Sequence, residues 1–231
     1  MTEQQTYSMV ALVPMRHHSV RVSGKNYRTL VGKPLYAYIL ETLKQIEELD
    51  LIVVNTDSPV ITAGIQERFP EVQLIERPDE LLGEDVPMNE ILLYDAQQVH
   101  SDTYLQTHST NPLLTADTMR KAIRVFKDHS KEHDALFGVT RRHVRIWDSQ
   151  GKPINHDPQK LEKTQDLPPF FEENSCVYIF ERDALLSTHN RLGRNPMMFE
   201  VPKLESFDID TEWDFRLVEA LIDSGLDEAS S

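Results

Sequence analysis

Apolar positions along the chain gather into short unbroken runs, separated by stretches with a helical repeat. MVALVPM (9–15) is a continuous apolar run of strand length. Beyond a polar loop, PLYAYILETLKQIEELD (34–50) carries Leu35, Ile39, Leu43 and Ile46 at helical spacing, and Pro34 suits the first turn of such a helix. The same reading predicts a strand over 50–57, a helix over 59–69 and a strand over 72–78. This βαβαβ order marks a mainly parallel sheet buried on both faces.

The alternation continues with a helix around 86–99, a strand over 103–106, a helix opened by Thr115 with Asp117 in its first turn, and a strand over 135–142. From His143 to Glu173 the regularity fades into Pro and polar residues. A compact domain rarely holds so long a bare loop, so 143–173 is expected to be an arm or small β-rich insertion within one domain spanning 1–231. Strands over 175–180 and 197–202 follow. EWDFRLVEALIDS (212–224) reads as an amphipathic helix with Val218, Leu221 and Ile222 toward the core. No repeat of solenoid length occurs, and only the tail DEASS is expected to be disordered.

Composition narrows the classes. The 231 residues are 39% hydrophobic and 27% charged, an ordinary globular balance with enough chain for a substantial core. A net charge of -14 excludes nucleic acid or an anionic membrane as a partner of the whole surface, so any anion site must be local. The single cysteine, Cys176, lies in the apolar run SCVYIF and reads as core filler; without a second cysteine there is no intrachain disulfide, which fits a reducing cytoplasm. MTEQQTYS lacks the basic flank and apolar stretch of a signal peptide, and no apolar run reaches membrane-spanning length. A cytoplasmic protein is expected.

Against this acidic background MRHHSVRVSGKN (15–26) stands out. Between Gln4 and Leu40 there are no acids, while Arg16, Arg21, Lys25, Arg28 and Lys33 supply five positive charges. The stretch follows the first strand, where α/β folds place their ligands. Ser19, Ser23 and Gly24 permit close backbone approach, and the guanidinium and ammonium groups can spread over several phosphate oxygens. A solvated basic loop is the plainer alternative. Neither the Walker nor the Rossmann glycine spacing is present. His17 and His18 are adjacent, and neighbours in sequence rarely converge on one metal.

A second cluster, FDIDTEWDF (207–215), balances the first. In a strand Asp208 and Asp210 would project together while Ile209 turns away, and two adjacent carboxylates suit a hard cation such as Mg²⁺. The alternative is a strand end leading into a capped helix, which is the preferred reading for Thr211 and Asp214.

The loop Arg16, Ser19, Arg21, Gly24, Lys25 resembles the signature R-x-x-S-x-R-x-x-G-K of the 3-deoxy-manno-octulosonate cytidylyltransferases. GKNYR (24–28) and GKPL (32–35) are similar to the acylneuraminate cytidylyltransferases, a related family of the same fold. NTDS (55–58), ERPDEL (76–81), Gln106 with TNPL (110–113) and FDIDTEWDF extend the resemblance, in order, over nearly the whole chain. It implies a three-layer Rossmann-like α/β nucleotidyltransferase fold with a mainly parallel central sheet, and a homodimer formed through the 143–173 excursion. It also implies transfer of CMP from CTP to the anomeric hydroxyl of a 2-keto-3-deoxy sugar acid, with pyrophosphate released. Arg16, Ser19, Arg21, Lys25, Asn26 and Arg77 would then hold the nucleotide, with Arg16, Lys25 and Asp210 catalytic. Mg²⁺ on Asp208 and Asp210 would bridge triphosphate oxygens. Gln106 and Phe199 would face the sugar acid, and Arg141, Arg142 and Arg145 are all candidates for its carboxylate.

The chain departs from both branches. HHSVRV stands where the sialic branch has glycines. LQTHSTNPLL carries two extra residues relative to that branch, and lacks both its following arginine and the acidic residue of the octulosonate branch. A less usual keto-deoxy acid fits this mixture. D-x-D also marks metal-dependent glycosyltransferases, but there it follows a middle strand and without the cationic loop. A non-catalytic nucleotide-binding homologue would be expected to have lost one of the two clusters.

Overall fold

The computed structural model describes residues 5–83 and 85–225; the predicted tail DEASS lies outside them. Nine strands and six helices are seen among the described residues: β1 Tyr7–Leu12, β2 Thr29–Leu30, β3 Lys33–Pro34, α1 Leu35–Leu43, β4 Leu51–Thr56, α2 Pro59–Arg68, β5 Gln73–Glu76, α3 Met88–Gln98, β6 Ser101–Gln106, α4 Ala116–His129, β7 Ala135–Arg142, β8 Phe170–Glu181, α5 Arg182–Thr188, β9 Pro196–Glu200 and α6 Glu212–Asp223. Seven strands form one sheet in the order β5-β4-β1-β6-β8-β7-β9, and β2 and β3 form a separate hairpin. β5, β4, β1 and β6 run parallel, β8 is antiparallel to both β6 and β7, and β9 is parallel to β7.

Alternation in the central strand explains the layers. Met9 and Ala11 pack with α1, α2 and α4 on one face, whereas Val10 and Leu12 pack with α3 and α5 on the other. The strand ends at Leu12, earlier than the apolar run suggests, because Pro14 has no amide hydrogen for the ladder; Met15 still bridges to Thr56. The helix predicted to reach residue 50 ends at Leu43. Beyond it the amides of Gln45, Ile46 and Leu49 bond three residues back in tight turns. These return the chain to β1, where Asp50 accepts from the Ser8 and Met9 amides.

A third, smaller core sits at the carboxyl ends of the parallel strands. Val22, Leu30, Leu35, Leu113, Ile209, Phe215 and Val218 are all buried there together. Val22 anchors the cationic loop and Ile209 the acidic segment, so burial of two apolar side chains fixes the charged residues beside them. The segment 207–210 is not a strand, contrary to the sequence reading. The Ile209 amide bonds the Thr110 carbonyl and the Asp210 amide bonds Asp214 Oδ2, so no ladder forms. The expected alternation nevertheless survives, with Ile209 inward and Asp208 and Asp210 toward a cavity. Thr211 and Asp214 form the predicted capping box of α6.

β8 is twice as long as its apolar run, beginning at Phe170 inside the stretch read as irregular, and α5 had no sequence signal. The remaining arm, 143–169, is turn-rich with one antiparallel bridge, Trp147 to Pro153. Pairing between β7 and β8 is interrupted: from Phe137–Tyr178 to Val139–Glu173, β7 advances two residues and β8 five. Ser175, within the bulge, has φ 57, and a Cβ on Gly138 would meet Asn174 Oδ1 at 2.6 Å.

Candidate active site

A cavity of about 550 Å³ opens at the carboxyl ends of β1, β5 and β6. Arg16, Ser19, Arg21 and Lys25 line it from the loop after β1, and Asp208 and Asp210 face them. The two clusters touch: Arg21 donates to Asp210 Oδ1 at 2.7 Å, and the Lys25 ammonium donates to the Ile209 carbonyl at 2.6 Å and lies 3.4 Å from Asp210. The Lys25 side chain is only 12% exposed, against 63% for Arg21. The lysine therefore acts in the less screened environment.

The five cations divide into two groups. Arg28 is drawn away from the cavity by one guanidinium nitrogen that donates to both Glu212 carboxylate oxygens and by a stack 4.1 Å over the Phe215 ring, while Lys33 pairs with Glu41 and covers Tyr38. Those two fasten α6 and α1. Gly24 has φ 62 and turns the loop into a 3-10 turn at Lys25–Tyr27. Asn26 lines the cavity with both ends of its amide engaged, donating to the Arg16 carbonyl and accepting from the Ser109 hydroxyl, each at 2.7 Å.

Arg77 forms the far wall and is buried. Its Nε donates to Asn55 Oδ1 at 2.7 Å, and a terminal nitrogen reaches the Asn55 and Met15 carbonyls. His17 is a structural pin: its amide donates to Asp57 at 2.7 Å, its Nδ1 lies 2.7 Å from the Ser58 hydroxyl that caps α2, and its ring stacks on Tyr27. His18 packs edge-on against His17 and stays exposed.

The acidic wall has one uncompensated atom. Asp208 Oδ1 is buried without a hydrogen-bond partner among the described residues. Burial pushes the Asp208 carboxyl above its usual range and Asp210 adds to this, while a Thr110 hydrogen bond and the cations Lys25 and Arg21 oppose it. An orphaned carboxylate oxygen beside a second carboxylate fits a hard divalent cation that would keep further ligands from water and phosphate.

Other expected residues lie elsewhere. Gln106 is fully buried and does not line the cavity; its Oε1 accepts from Arg191 at 2.7 Å, and its Nε2 donates to the Thr107 carbonyl and approaches His108 Nε2 at 3.0 Å. Phe199, half-buried on β9, packs against the core under α4. Arg142 pairs with Glu172, and Arg145 donates to the Glu162 carbonyl in the arm. Cys176 is buried with its thiol pKa raised by that burial, as core filler should be. The sequence reading missed His108, Ser109, Thr110 and Ser175, all of which line the cavity. The polar run THST directly after β6 was the available signal.

A family model described as Cytidylyltransferase matches residues 10–229. The chain belongs to the cytidylyltransferase family. Within that family's reach it is 28% identical over 229 residues to the CMP-N,N'-diacetyllegionaminic acid synthase of Legionella pneumophila, covering 93% of this chain and 96% of that protein. It is 27% identical over 218 residues to the post-translational flagellin modification protein B of Campylobacter coli, covering 90% and 92%. The N-acylneuraminate cytidylyltransferase of Escherichia coli is 25% identical over 216 residues, 90% of this chain but 51% of that longer protein. Among solved structures, CMP:2-keto-3-deoxy-manno-octonic acid synthetase complexed with CTP superimposes with a TM-score of 0.72 at 17% identity, covering 94% and 99% of the two chains. The fold is thus the α/β nucleotidyltransferase fold. No helix among the described residues is long and apolar enough to cross a membrane.

Proposed function

We propose that this cytidylyltransferase transfers CMP from CTP to a 2-keto-3-deoxy sugar acid of the acylneuraminic or legionaminic type and releases pyrophosphate. One observation carries the reading: Arg16, Ser19, Arg21 and Lys25 face Asp208 and Asp210 across a single cavity at the carboxyl ends of the parallel strands. Arg16, Arg21 and Lys25 hold the triphosphate and neutralise charge on the departing pyrophosphate. Ser19 offers a hydroxyl donor to the same phosphates, and Arg77 and Asn26 fix the far wall that meets the nucleotide. Asp208 and Asp210 would hold Mg²⁺, which when bound supplies Lewis acidity toward the phosphates and the attacking hydroxyl. Arg21 and Lys25, which pair with Asp210, are placed to turn to phosphate as the nucleotide enters.

Two of the sequence relatives are named for N,N'-diacetyllegionaminic and N-acylneuraminic acids, which supports an acceptor of that type, whereas the octonic acid likeness lies at the level of fold. The arm exposes Val144, Trp147, Ile154 and Leu161, with Phe171 beside them. Those apolar side chains support pairing with a second copy through the arm. The lone cysteine supports a reducing, cytoplasmic setting.

The test is pyrophosphate release from CTP and Mg²⁺ with a panel of keto-deoxy sugar acids. Asp210→Asn should abolish turnover while circular dichroism shows an unchanged fold. Retained turnover refutes the role of Asp210, and failure of the wild type to bind CTP with Mg²⁺ refutes the whole reading.

A further inference from the structure

A buried chain of side chains ends on the cavity wall. Arg191, in the loop after α5, is held with its guanidinium carbon 3.5 Å over the Tyr178 ring and its amide on Asn89 Oδ1. It forms no ion pair with a carboxylate among the described residues. Besides its interaction with Tyr178, it donates to Gln106, 2.7 Å away. A guanidinium can only donate, so the Gln106 atom facing it must be the carbonyl oxygen. The Gln106 nitrogen then faces the Thr107 carbonyl and His108 Nε2, and the carbonyl, which can only accept, independently requires the same orientation. His108 Nε2 therefore accepts from Gln106, and the neutral ring carries its proton on Nδ1.

Nothing among the described residues receives that Nδ1 proton, and His108 lines the cavity. The charged groups around the ring are Arg191 and Lys25 with Asp210 opposing them; burial, followed by these cations, pulls its pKa down to about 3. A neutral ring cannot form an ion pair with Asp210, which leaves that carboxylate to its other partners. His108 follows β6 and Ser175 lies on β8, three and four strands from the Arg77 wall after β5, so the ring stands at the end of the cavity opposite Arg77 and next to the Lys25–Asp210 centre.

We infer that His108 is the acceptor-side donor of this site, its Nδ1–H hydrogen-bonding an oxygen of the sugar acid, and that Arg191 and Gln106 are positioning residues that lock its tautomer. The inference rests on the functional reading above for its acceptor and on hydrogen-bond geometry alone for the lock. It assigns Gln106 a place behind the contact.

Two measurements test it. Long-range ¹H–¹⁵N correlation spectra of the ¹⁵N-labelled protein, with His108 identified by loss of its signals in His108→Asn, should show an Nδ1-protonated ring unchanged from pH 5 to 8. Gln106→Glu replaces the donor facing Nε2 with an acceptor and should move the proton to Nε2. A proton on Nε2 in the wild type, or no response to Gln106→Glu, overturns the lock. In steady-state assays with N-acetylneuraminic and N,N'-diacetyllegionaminic acids, His108→Ala should raise the acceptor KM by roughly tenfold to a hundredfold and leave the Kd for Mg·CTP within about twofold. His108→Asn, whose amide nitrogen can stand near Nδ1, should recover most of that loss. An acceptor KM that does not move, or a CTP affinity that falls equally, overturns the assignment. Failure of the wild type with every acid removes the acceptor role together with the functional reading, while the nitrogen spectrum still decides the lock.

Discussion

Asp95→Asn should stabilise the protein, and more so as pH rises. Asp95 is 1% exposed; its Oδ1 accepts from Asn55 Nδ2 at 2.6 Å and its Oδ2 has no partner among the described residues. Burial pushes its carboxyl from 3.8 up to about 7, although the Asn55 hydrogen bond and the Arg77 charge both favour the ionised form. Between those values the folded chain keeps a proton that the unfolded chain has released. Stability therefore falls as pH climbs from about 4 through about 7, and the loss levels off above that range. At roughly 1.4 kcal/mol per pKa unit, the cost of the charged form approaches about 4 kcal/mol by pH 8. Asparagine has the shape of the neutral acid, keeps an oxygen for Asn55, and avoids that cost. Urea unfolding followed by circular dichroism should show a gain of about 2–4 kcal/mol at pH 8 that shrinks toward zero near pH 4. A variant less stable than wild type at pH 8 would refute the reasoning, because it would make Asp95 a charged counterion that Arg77 requires.

Lys25→Met removes a charged donor that the Ile209 carbonyl and Asp210 now share. A charged hydrogen bond of about 1.5–3 kcal/mol corresponds to a rise of roughly 10- to 150-fold in the Kd for Mg·CTP by calorimetry, and a change below about threefold would count against its phosphate role. Thr211→Ala deletes the N-cap of α6, whose hydroxyl accepts from the Asp214 amide at 3.2 Å. A loss of about 1 kcal/mol, or about 2–4 °C in Tm for a domain of this size, is expected by differential scanning calorimetry, and an unchanged Tm would show the cap to be idle.

What could be read from the sequence follows the reach of each signal. The β1–α1–β4–α2–β5 order was legible because strands covered on both faces must be apolar throughout, and both charged clusters were legible because neighbours in sequence stayed neighbours in space. The start of β8 was hidden because residues 170–174 form a largely exposed antiparallel extension with no continuous apolar run. α5, at seven residues, is too short to display a period. Arg28 and Lys33 looked equivalent to Arg21 and Lys25, and only packing shows that they hold helices. Gln106 was expected at the sugar; its partner Arg191 lies 85 positions away, so no local pattern could show that its amide is already engaged. Asp208 and Asp210 kept the alternation of a strand without its ladder, since alternation needs only an extended backbone with one buried anchor.

The interruption between β7 and β8 uncouples the two halves of one hairpin. Along an unbroken ladder, gaining or losing a single residue turns every later side chain to the opposite face. Here the bulge between Glu173 and Tyr178 can take up such a slip before it reaches Tyr178, Ile179 and Phe180, which pair with β6 and are buried. A change of length at the start of β8 is therefore absorbed at the bulge, and the pairing of Tyr178–Phe180 with β6 is kept. The bulge thus insulates the strand beneath the cavity from the arm.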